Sequence, residues 1–251
     1  LSDLPFIGLE TNEPNISDVM NRVVVSHDWM GRRFEALLRQ LPSDMLPLFQ
    51  AVTAIVISFD IRPSFYTTKS AAIYIDPSFL WLSLDEKRSI STEEDYRSGF
   101  ADPLDFRVLN RYLIDGDYAY YYWSLTSDST RSINDTELLF ARVLFHELAH
   151  ANDFVPPGSY QDISSEQTAL QAIQDIGNTR ISTRLDDNFP LQSPILFSLA
   201  EVMYRGRTPT TDDLQIIPSQ AGEAFGPDGA SDDYAYSSKY EDTAMLFEST
   251  M

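Results

Sequence analysis

The chain has no cysteine and only three histidines in 251 residues. Without thiols it can form neither disulfide bonds nor thiolate metal sites, so a bound metal ion needs histidine, carboxylate or water ligands. Positive charge is also scarce: 18 lysine and arginine residues face 38 aspartate and glutamate residues, for a formal net charge of −20. Because such an acidic chain repels phosphate backbones and anionic lipids, we expect no nucleic-acid partner.

Long apolar runs are missing as well. No stretch approaches the roughly 20 residues that a membrane-crossing helix needs, so we expect no membrane span. The 43% of hydrophobic residues is enough for a core, either as a single domain over residues 1–251 or with residues 1–50 as a helical N-terminal extension. The sequence opens on Leu1, which indicates a processed protein, and we expect it to be exported to the periplasm, the cell surface or the medium.

The apolar patterns predict a mixed α+β chain. An amphipathic helix is expected over Ser17–Leu41, ended by Pro42. Two runs of β-branched and aromatic residues, Ala54–Asp60 and Ala71–Leu82, have strand length and are expected to lie in one sheet. From Tyr160 onwards helical patterns dominate.

Three features are interpreted as structure rather than as functional sites. The tyrosine-rich stretch Asp117–Leu125 is a further strand candidate. Asp115 and Asp117 flank a glycine, but the other oxygen ligands of a calcium loop are missing, so we predict an ordinary turn. The isolated His27 is interpreted as a surface group.

The stretch LFHELAHANDF, Leu144–Phe154, places two histidines four residues apart, with a glutamate directly after the first. Asn134 can cap a helix and Pro156 cannot continue one, so a helix over about Asp135–Asn152 is predicted. Apolar residues go nearly all round this helix, which predicts a central, buried position. They are Leu138, Leu139, Phe140, Val143, Leu144, Phe145 and Leu148.

The spacing of this H-E-x-x-H pattern indicates a metal site. His146 and His150 lie one turn apart on nearly the same helix face, so both imidazoles can reach one ion. Glu147 is turned by about 100° from His146, close enough to address a water on the metal without coordinating it. Zinc lowers the pKa of bound water towards about 7, and a carboxylate can accept the proton as the water attacks a carbonyl. We therefore predict one catalytic zinc ion per chain.

Two histidines leave a catalytic zinc one protein ligand short. Because cysteine is absent, the residues favour a downstream glutamate, of which two are candidates. Glu166 lies at a predicted helix start, where an acid is favourable in any case. Glu241 lies in a second apolar helix near the chain end, where Ser238 and Glu241 form a capping-box pattern. Spacing alone leaves both candidates open.

HELAH is followed far downstream by a tyrosine, seven residues later by a glutamate, and then by an A-x-x-F helix. This arrangement resembles the gluzincin metallopeptidases, in particular the catalytic domain of the anthrax lethal factor group. The resemblance implies a zincin-like fold, with a small mixed sheet over the histidine helix. It also implies the site residues: His146, His150 and Glu241 as zinc ligands, Glu147 as the general base, and Tyr234 as hydrogen-bond donor to the developing oxyanion.

Two positions leave alternatives within this resemblance. The family pattern has an acid one turn after the ligand glutamate, which orients a zinc histidine, whereas this chain has Met245. Tyr236 and Tyr240 are neighbouring alternatives to Tyr234. The acids that could take the place of the missing one are Asp153, Asp242 and Glu248.

The sequence therefore predicts zinc-dependent hydrolysis of peptide bonds in a peptide or protein substrate. AAIYIDP, Ala71–Pro77, is the expected edge strand that pairs with the extended peptide. The alternative is a non-catalytic zinc-binding protein of the same fold that acts as a partner-binding module. Glu147 favours the enzyme, because a purely structural metal site has no use for a base.

Overall fold

The computed structural model describes residues 3–108, 112–177 and 179–251. The chain forms two compact units. Unit 1 comprises Leu1–Glu93 and Tyr112–Arg180, and unit 2 comprises Glu94–Arg111 and Ile181–Met251. The predicted α+β class is confirmed, since helices accompany one small mixed sheet and a short hairpin. Within the described ranges, no helix has both the length and the apolar character needed to cross a bilayer.

Unit 1 contains the sheet and the H-E-x-x-H helix. Its helices are α1 (Ile7–Glu10), α2 (Ile16–Met20), α3 (Asp28–Leu38), α4 (Leu84–Arg88), α5 (Asn134–Phe154) and α6 (Ala169–Ile176). Its strands are β1 (Val23–Val25), β2 (Ile55–Ile57), β3 (Phe65–Thr67), β4 (Ala72–Ile75), β5 (Leu113–Ile114) and β6 (Asp117–Tyr118). Its 3₁₀ helices span Ser43–Ala51, Pro77–Phe79 and Ser159–Asp162.

The four-stranded sheet has the order β1-β2-β4-β3. Strand β2 pairs in parallel with both β1 and β4, so that Ile55 lies opposite Val23 on one side and Ile73 on the other. Strand β3 runs antiparallel to β4. The two predicted strand regions thus lie in one sheet, as expected.

The prediction that AAIYIDP is the edge strand is wrong. Strand β4 has a hydrogen-bonded neighbour on each side, and the edges of the sheet are β1 and β3. Ile73 and Ile75 are fully buried, which fits an internal strand. The strand at the antiparallel edge is Phe65–Thr67, in a stretch whose proline and turn residues hid its strand character.

The predicted helix over Ser17–Leu41 is interrupted. Helix α2 ends at Met20, Val23–Val25 forms strand β1, and α3 begins at Asp28. Three successive β-branched valines favour extended backbone, and pairing with β2 satisfies their backbone groups. The first 50 residues therefore belong to unit 1 and supply one edge of its sheet.

Helix α5 is the predicted H-E-x-x-H helix, and its bounds agree with the prediction to within two residues. Asn134 does not cap it. The carboxylate of Asp135 instead accepts hydrogen bonds from the backbone N and the Oγ of Ser132, both at 2.7 Å. Burial is more one-sided than predicted: Phe140 is fully buried against the edge of the Phe34 ring, whereas Leu138 is 38% exposed.

The strand candidate Asp117–Leu125 contributes only the two residues of β6, which pair with β5. Asp115 and Gly116, which connect the two strands, have φ values of 53° and 90°. A two-residue hairpin turn requires such positive φ values, and Asp-Gly is among the pairs that adopt them most readily. The predicted turn at this position is confirmed.

Unit 2 is mainly helical, as predicted for the C-terminal part of the chain. Its helices are α7 (Ile181–Asn188), α8 (Pro194–Arg205), α9 (Pro218–Glu223) and α10 (Lys239–Thr250), with 3₁₀ helices at Asp213–Gln215 and Asp233–Ser237. Leu196, Leu199 and Val202 of α8 pack with Tyr236 in its core.

A buried carboxylate ties the loop after α8 to that helix. Asp213 is 2% exposed and accepts hydrogen bonds from Ser198 Oγ at 2.6 Å, Thr210 N at 2.7 Å and Arg207 Nη2 at 3.0 Å. Burial alone raises the pKa of Asp213, but the hydrogen bonds outweigh it and hold the pKa well below its usual value.

We predict that Asp213→Asn lowers the free energy of unfolding by about 2 kcal/mol at pH 7, the scale of hydrogen bonds to a charged group. Because the pKa of Asp213 is depressed in the folded state, the stabilisation is present above the unfolded pKa of about 3.9 and is lost as the pH falls through the folded value. Urea denaturation between pH 7 and pH 3 measures both the loss of unfolding free energy and its dependence on pH. The difference between wild type and variant should narrow below about pH 4, and Asp212→Asn, at an exposed neighbouring acid, should leave stability unchanged. A pH-independent difference would contradict this.

Candidate metal centre

The two histidines of α5 converge. Their Nε2 atoms lie 3.2 Å apart, and the rings meet edge to face at 84° with centroids 4.8 Å apart. Two nitrogen ligands of a tetrahedral zinc ion lie about 3.3 Å apart, given zinc–nitrogen distances of about 2.0–2.1 Å. The pair of nitrogens therefore fits two positions of one zinc ion.

Glu147 lies in the buried part of the same helix. Its side chain is 4% exposed, and His150 is 8% exposed. A carboxylate at such a depth is costly to ionise unless charge or hydrogen bonds compensate. Glu147 directly follows His146 in the chain, so the helix that carries the histidine pair also carries a buried carboxylate.

Packing and side-chain hydrogen bonds fix the position of α5. Leu144 and Leu148 are fully buried. Asn152, two residues before the end of the helix, donates from Nδ2 to the carbonyl of Leu48 at 2.9 Å and to that of Leu148 at 2.8 Å. These contacts hold the histidine-bearing turns against the 3₁₀ helix Ser43–Ala51.

Glu166, one of the two candidates for the third ligand, is exposed in unit 1. It lies in a turn, where its backbone N donates to Ser164 Oγ at 3.3 Å, and helix α6 begins only at Ala169. Among the described residues, Glu166 is not part of a group of potential metal ligands with His146 and His150. This placement gives Glu166 the character of a solvated surface acid.

Glu241, the other candidate, lies in the first turn of α10 in unit 2 and is half-buried. Ser238 caps this helix, because its Oγ accepts a hydrogen bond from the backbone N of Glu241 at 3.2 Å. Ala244 and Met245 are 1% exposed and anchor the helix. Met245 is thus a core residue, and the acids named as substitutes, Asp153, Asp242 and Glu248, are all buried.

Tyr234 lies in the 3₁₀ helix Asp233–Ser237, which is fastened to α8. Tyr204 of α8 donates its hydroxyl proton to the carboxylate of Asp233, and Arg205 donates to the carbonyl of Ser237. The rings of Tyr204 and Tyr234 pack edge to face with centroids 4.7 Å apart. The position of the Tyr234 backbone and ring is therefore set by α8.

Arg97 is a neighbour of Tyr234 that the sequence pattern did not reveal. Its Nη1 donates to the Tyr234 hydroxyl oxygen at 3.4 Å, and its Nε and Nη2 bind the carboxylate of Asp95 at 3.1 Å and 2.6 Å. Because a phenol that accepts a hydrogen bond can still donate its own proton, this contact is compatible with a donor role for Tyr234. The two residues are 137 positions apart, so no local pattern connects them.

The alternative tyrosines differ in their surroundings. Tyr236 is 2% exposed and its hydroxyl donates to Asp228 Oδ2 at 2.8 Å. Burial raises the pKa of Tyr236, and the hydrogen bond to Asp228 adds to the shift. Tyr240 is half-buried on α10, with the Lys239 ammonium 5.8 Å from its ring centroid. Tyr236 is thus a structural residue, whereas Tyr240 stays an alternative.

Comparisons of the chain with protein-family models, with curated proteins and with solved structures found no match.

Proposed function

We propose that the protein is a zinc-dependent peptidase of the gluzincin type with a zincin-like fold. The observation that carries the proposal is the H-E-x-x-H motif on one buried helix. The Nε2 atoms of its two histidines lie 3.2 Å apart, and Glu147, which stands between them in the sequence, is buried. A small mixed sheet in the same unit as this helix supports the fold.

The proposed zinc ligands are His146, His150 and Glu241. They offer two imidazole nitrogens and one carboxylate oxygen, a donor set typical of catalytic zinc sites that keep one position open for water or substrate. Glu241 is preferred to Glu166 because the resemblance assigns it and because Glu166 is an exposed turn residue.

The chain's own residues account for the proton transfers. A bound zinc ion would supply a Lewis acid and would make water acidic enough to react at neutral pH. Glu147 accepts a proton from the water whose oxygen adds to the carbonyl carbon, and it delivers that proton to the amine nitrogen as the carbon–nitrogen bond breaks. Tyr234 donates a hydrogen bond to the carbonyl oxygen as its negative charge develops.

Strand β3 is the proposed site for an extended substrate. Among the described strands it pairs only with β4, so its outer edge is available for a further strand. Tyr66 of β3 stacks on Phe154 at the end of α5, with ring centroids 5.9 Å apart. A peptide added at this edge would lie in the same unit as the histidine pair.

The metal prediction concerns all three ligands. Wild type should bind about one zinc per chain, and His146→Ala or His150→Ala should abolish binding. Glu241→Ala should weaken zinc affinity by more than about 100-fold, since even residues that only support a ligand contribute about 10- to 100-fold. Metal analysis after dialysis against graded chelator measures this. Glu166→Ala is the matched control and should keep its zinc; loss there with retention in Glu241→Ala would move the third ligand into unit 1.

The catalytic prediction concerns Glu147. Glu147→Gln should keep the fold and the zinc but lose peptidase activity by about 10²- to 10⁴-fold, because the proton acceptor disappears. Cleavage of a broad peptide library, followed by mass spectrometry with a chelator control, measures the loss. Glu137→Gln, which makes the same change in the first turn of α5, should retain activity. If zinc-loaded wild type cleaves no peptide and binds a protein partner as well as Glu147→Gln does, the non-catalytic alternative replaces the enzyme.

A further prediction distinguishes Tyr234 from Tyr240 as the oxyanion donor. Tyr234→Phe should keep zinc and lose about 10²- to 10³-fold in kcat, the usual effect of removing one oxyanion donor. Tyr240→Phe, made in the neighbouring α10, should retain kcat. Steady-state kinetics on a cleaved peptide measure kcat for both variants. A loss of kcat in Tyr240→Phe but not in Tyr234→Phe would make Tyr240 the oxyanion donor.

A further inference from the structure

Unit 2 contains a cavity of about 430 Å³ that the proposed peptidase chemistry does not use. It lies between α7, α10 and the loops around residues 189–192 and 227–229. Apolar side chains form much of its wall, and two carboxylates face it. The residues that matter here are Leu185, Phe189, Leu191 and Leu246 for the wall, and Asp228 and Asp242 for the charge.

Asp242 is the unexplained group in this cavity. Its side chain is 6% exposed, and its Oδ1 atom has no hydrogen-bond partner among the described residues. A position in the first turn of a helix favours an acid, but it does not require the acid to be buried. A buried carboxylate oxygen without a donor costs free energy unless a cation compensates it.

Neighbouring negative charges increase the free-energy cost of burying the Asp242 carboxylate. The negative charges of Asp186 and Asp228 lie close enough to act on it. Asp228 is held in place by hydrogen bonds from Ser193 N at 2.9 Å and Tyr236 Oη at 2.8 Å. No lysine or arginine is among the described residues that line the cavity. The nearby Lys239 donates to Thr183 Oγ1 at 3.3 Å.

The side chains that line the cavity determine which kind of cation fits. Calcium needs about six to eight oxygen ligands, whereas in the part of the chain that the structure describes side-chain oxygens line this cavity at only four positions: Asn188, Gln192, Asp228 and Asp242. Cavities of about 300–1,000 Å³ with apolar walls and few polar groups are instead typical of organic ligands. Phe189 is 74% exposed in the loop at this cavity, so its ring is accessible to a ligand there.

We propose that this cavity binds an organic monocation on an apolar stem, a guanidinium or a primary ammonium, with Asp242 as its counter-ion. The stem packs against Leu191 and Leu246, and the cation donates to the Asp242 carboxylate. Such a cation comes either from a free alkyl amine or guanidine or from an arginine or lysine side chain of a polypeptide. The proposal does not depend on the peptidase activity, because none of the residues that line this cavity is a proposed zinc ligand, general base or oxyanion donor.

Butylguanidinium is the probe, because a guanidinium has no acceptor atom with which to coordinate zinc. Isothermal titration calorimetry at pH 7 should give a millimolar dissociation constant, as expected for so small a ligand. The neutral 1-pentanol should bind at least about tenfold more weakly, because it lacks the charge-assisted hydrogen bond. Nα-acetyl-arginine methylamide distinguishes the sources: tighter binding than butylguanidinium indicates a polypeptide side chain, and weaker binding indicates a free cation.

The variants locate the site. Asp242→Asn should weaken butylguanidinium binding at least about tenfold, whereas Asp187→Asn, an exposed acid on α7 outside the cavity, should bind as wild type does. Backbone amide chemical-shift changes on adding butylguanidinium to the wild type should fall within residues 185–192, 227–229 and 242–246, and this measurement needs no variant to fold. Equal binding of 1-pentanol, undiminished binding by Asp242→Asn, or shift changes elsewhere would overturn the proposal. Zinc content measured in each variant keeps this result separate from the fate of the metal centre.

Discussion

The packing of helix α5 in the core of unit 1 is the constraint on which the candidate site depends. Burial of a leucine or phenylalanine side chain stabilises by about 1.5–3 kcal/mol, and Phe140, Leu144 and Leu148 are all fully buried. The same packing takes Glu147 and His150 out of water. The apolar neighbours therefore hold Glu147 and His150 in a buried position on one helix.

Unit 2 positions its polar residues in a different way. Its 3₁₀ helix Asp233–Ser237 is tied to α8 by hydrogen bonds, and Arg97 bridges Asp95 and the Tyr234 hydroxyl. In a chain with a formal charge of −20, some of the few arginines thus hold internal structure in place. Arg131 shows the same use in unit 1, where its Nε donates to the Trp81 carbonyl at 2.8 Å and its guanidinium stacks on the Trp81 ring.

The carboxylates of unit 2 show how similar side chains take different roles. Asp213 and Asp228 are surrounded by donors, and these hydrogen bonds, against the effect of burial, keep the pKa of each below its usual value. Asp242 is buried with an oxygen that lacks a donor among the described residues. The first two acids are structural, because the loops around them depend on their hydrogen bonds. Asp242 is the acid for which we propose a bound cation as the counter-ion.

The sequence by itself determined the features that arise from local spacing. The extent of α5, the pairing of His146 with His150 on one face, and the Asp115–Gly116 turn all follow from backbone periodicity and φ preferences, which act over a few residues. The tertiary structure decided which strands are neighbours. An apolar run such as Ala72–Ile75 shows that a strand is buried but not which strands flank it, because pairing joins residues far apart in the chain. For the same reason only the fold could bring Arg97 to Tyr234, or place Asp242 on a cavity formed with α7.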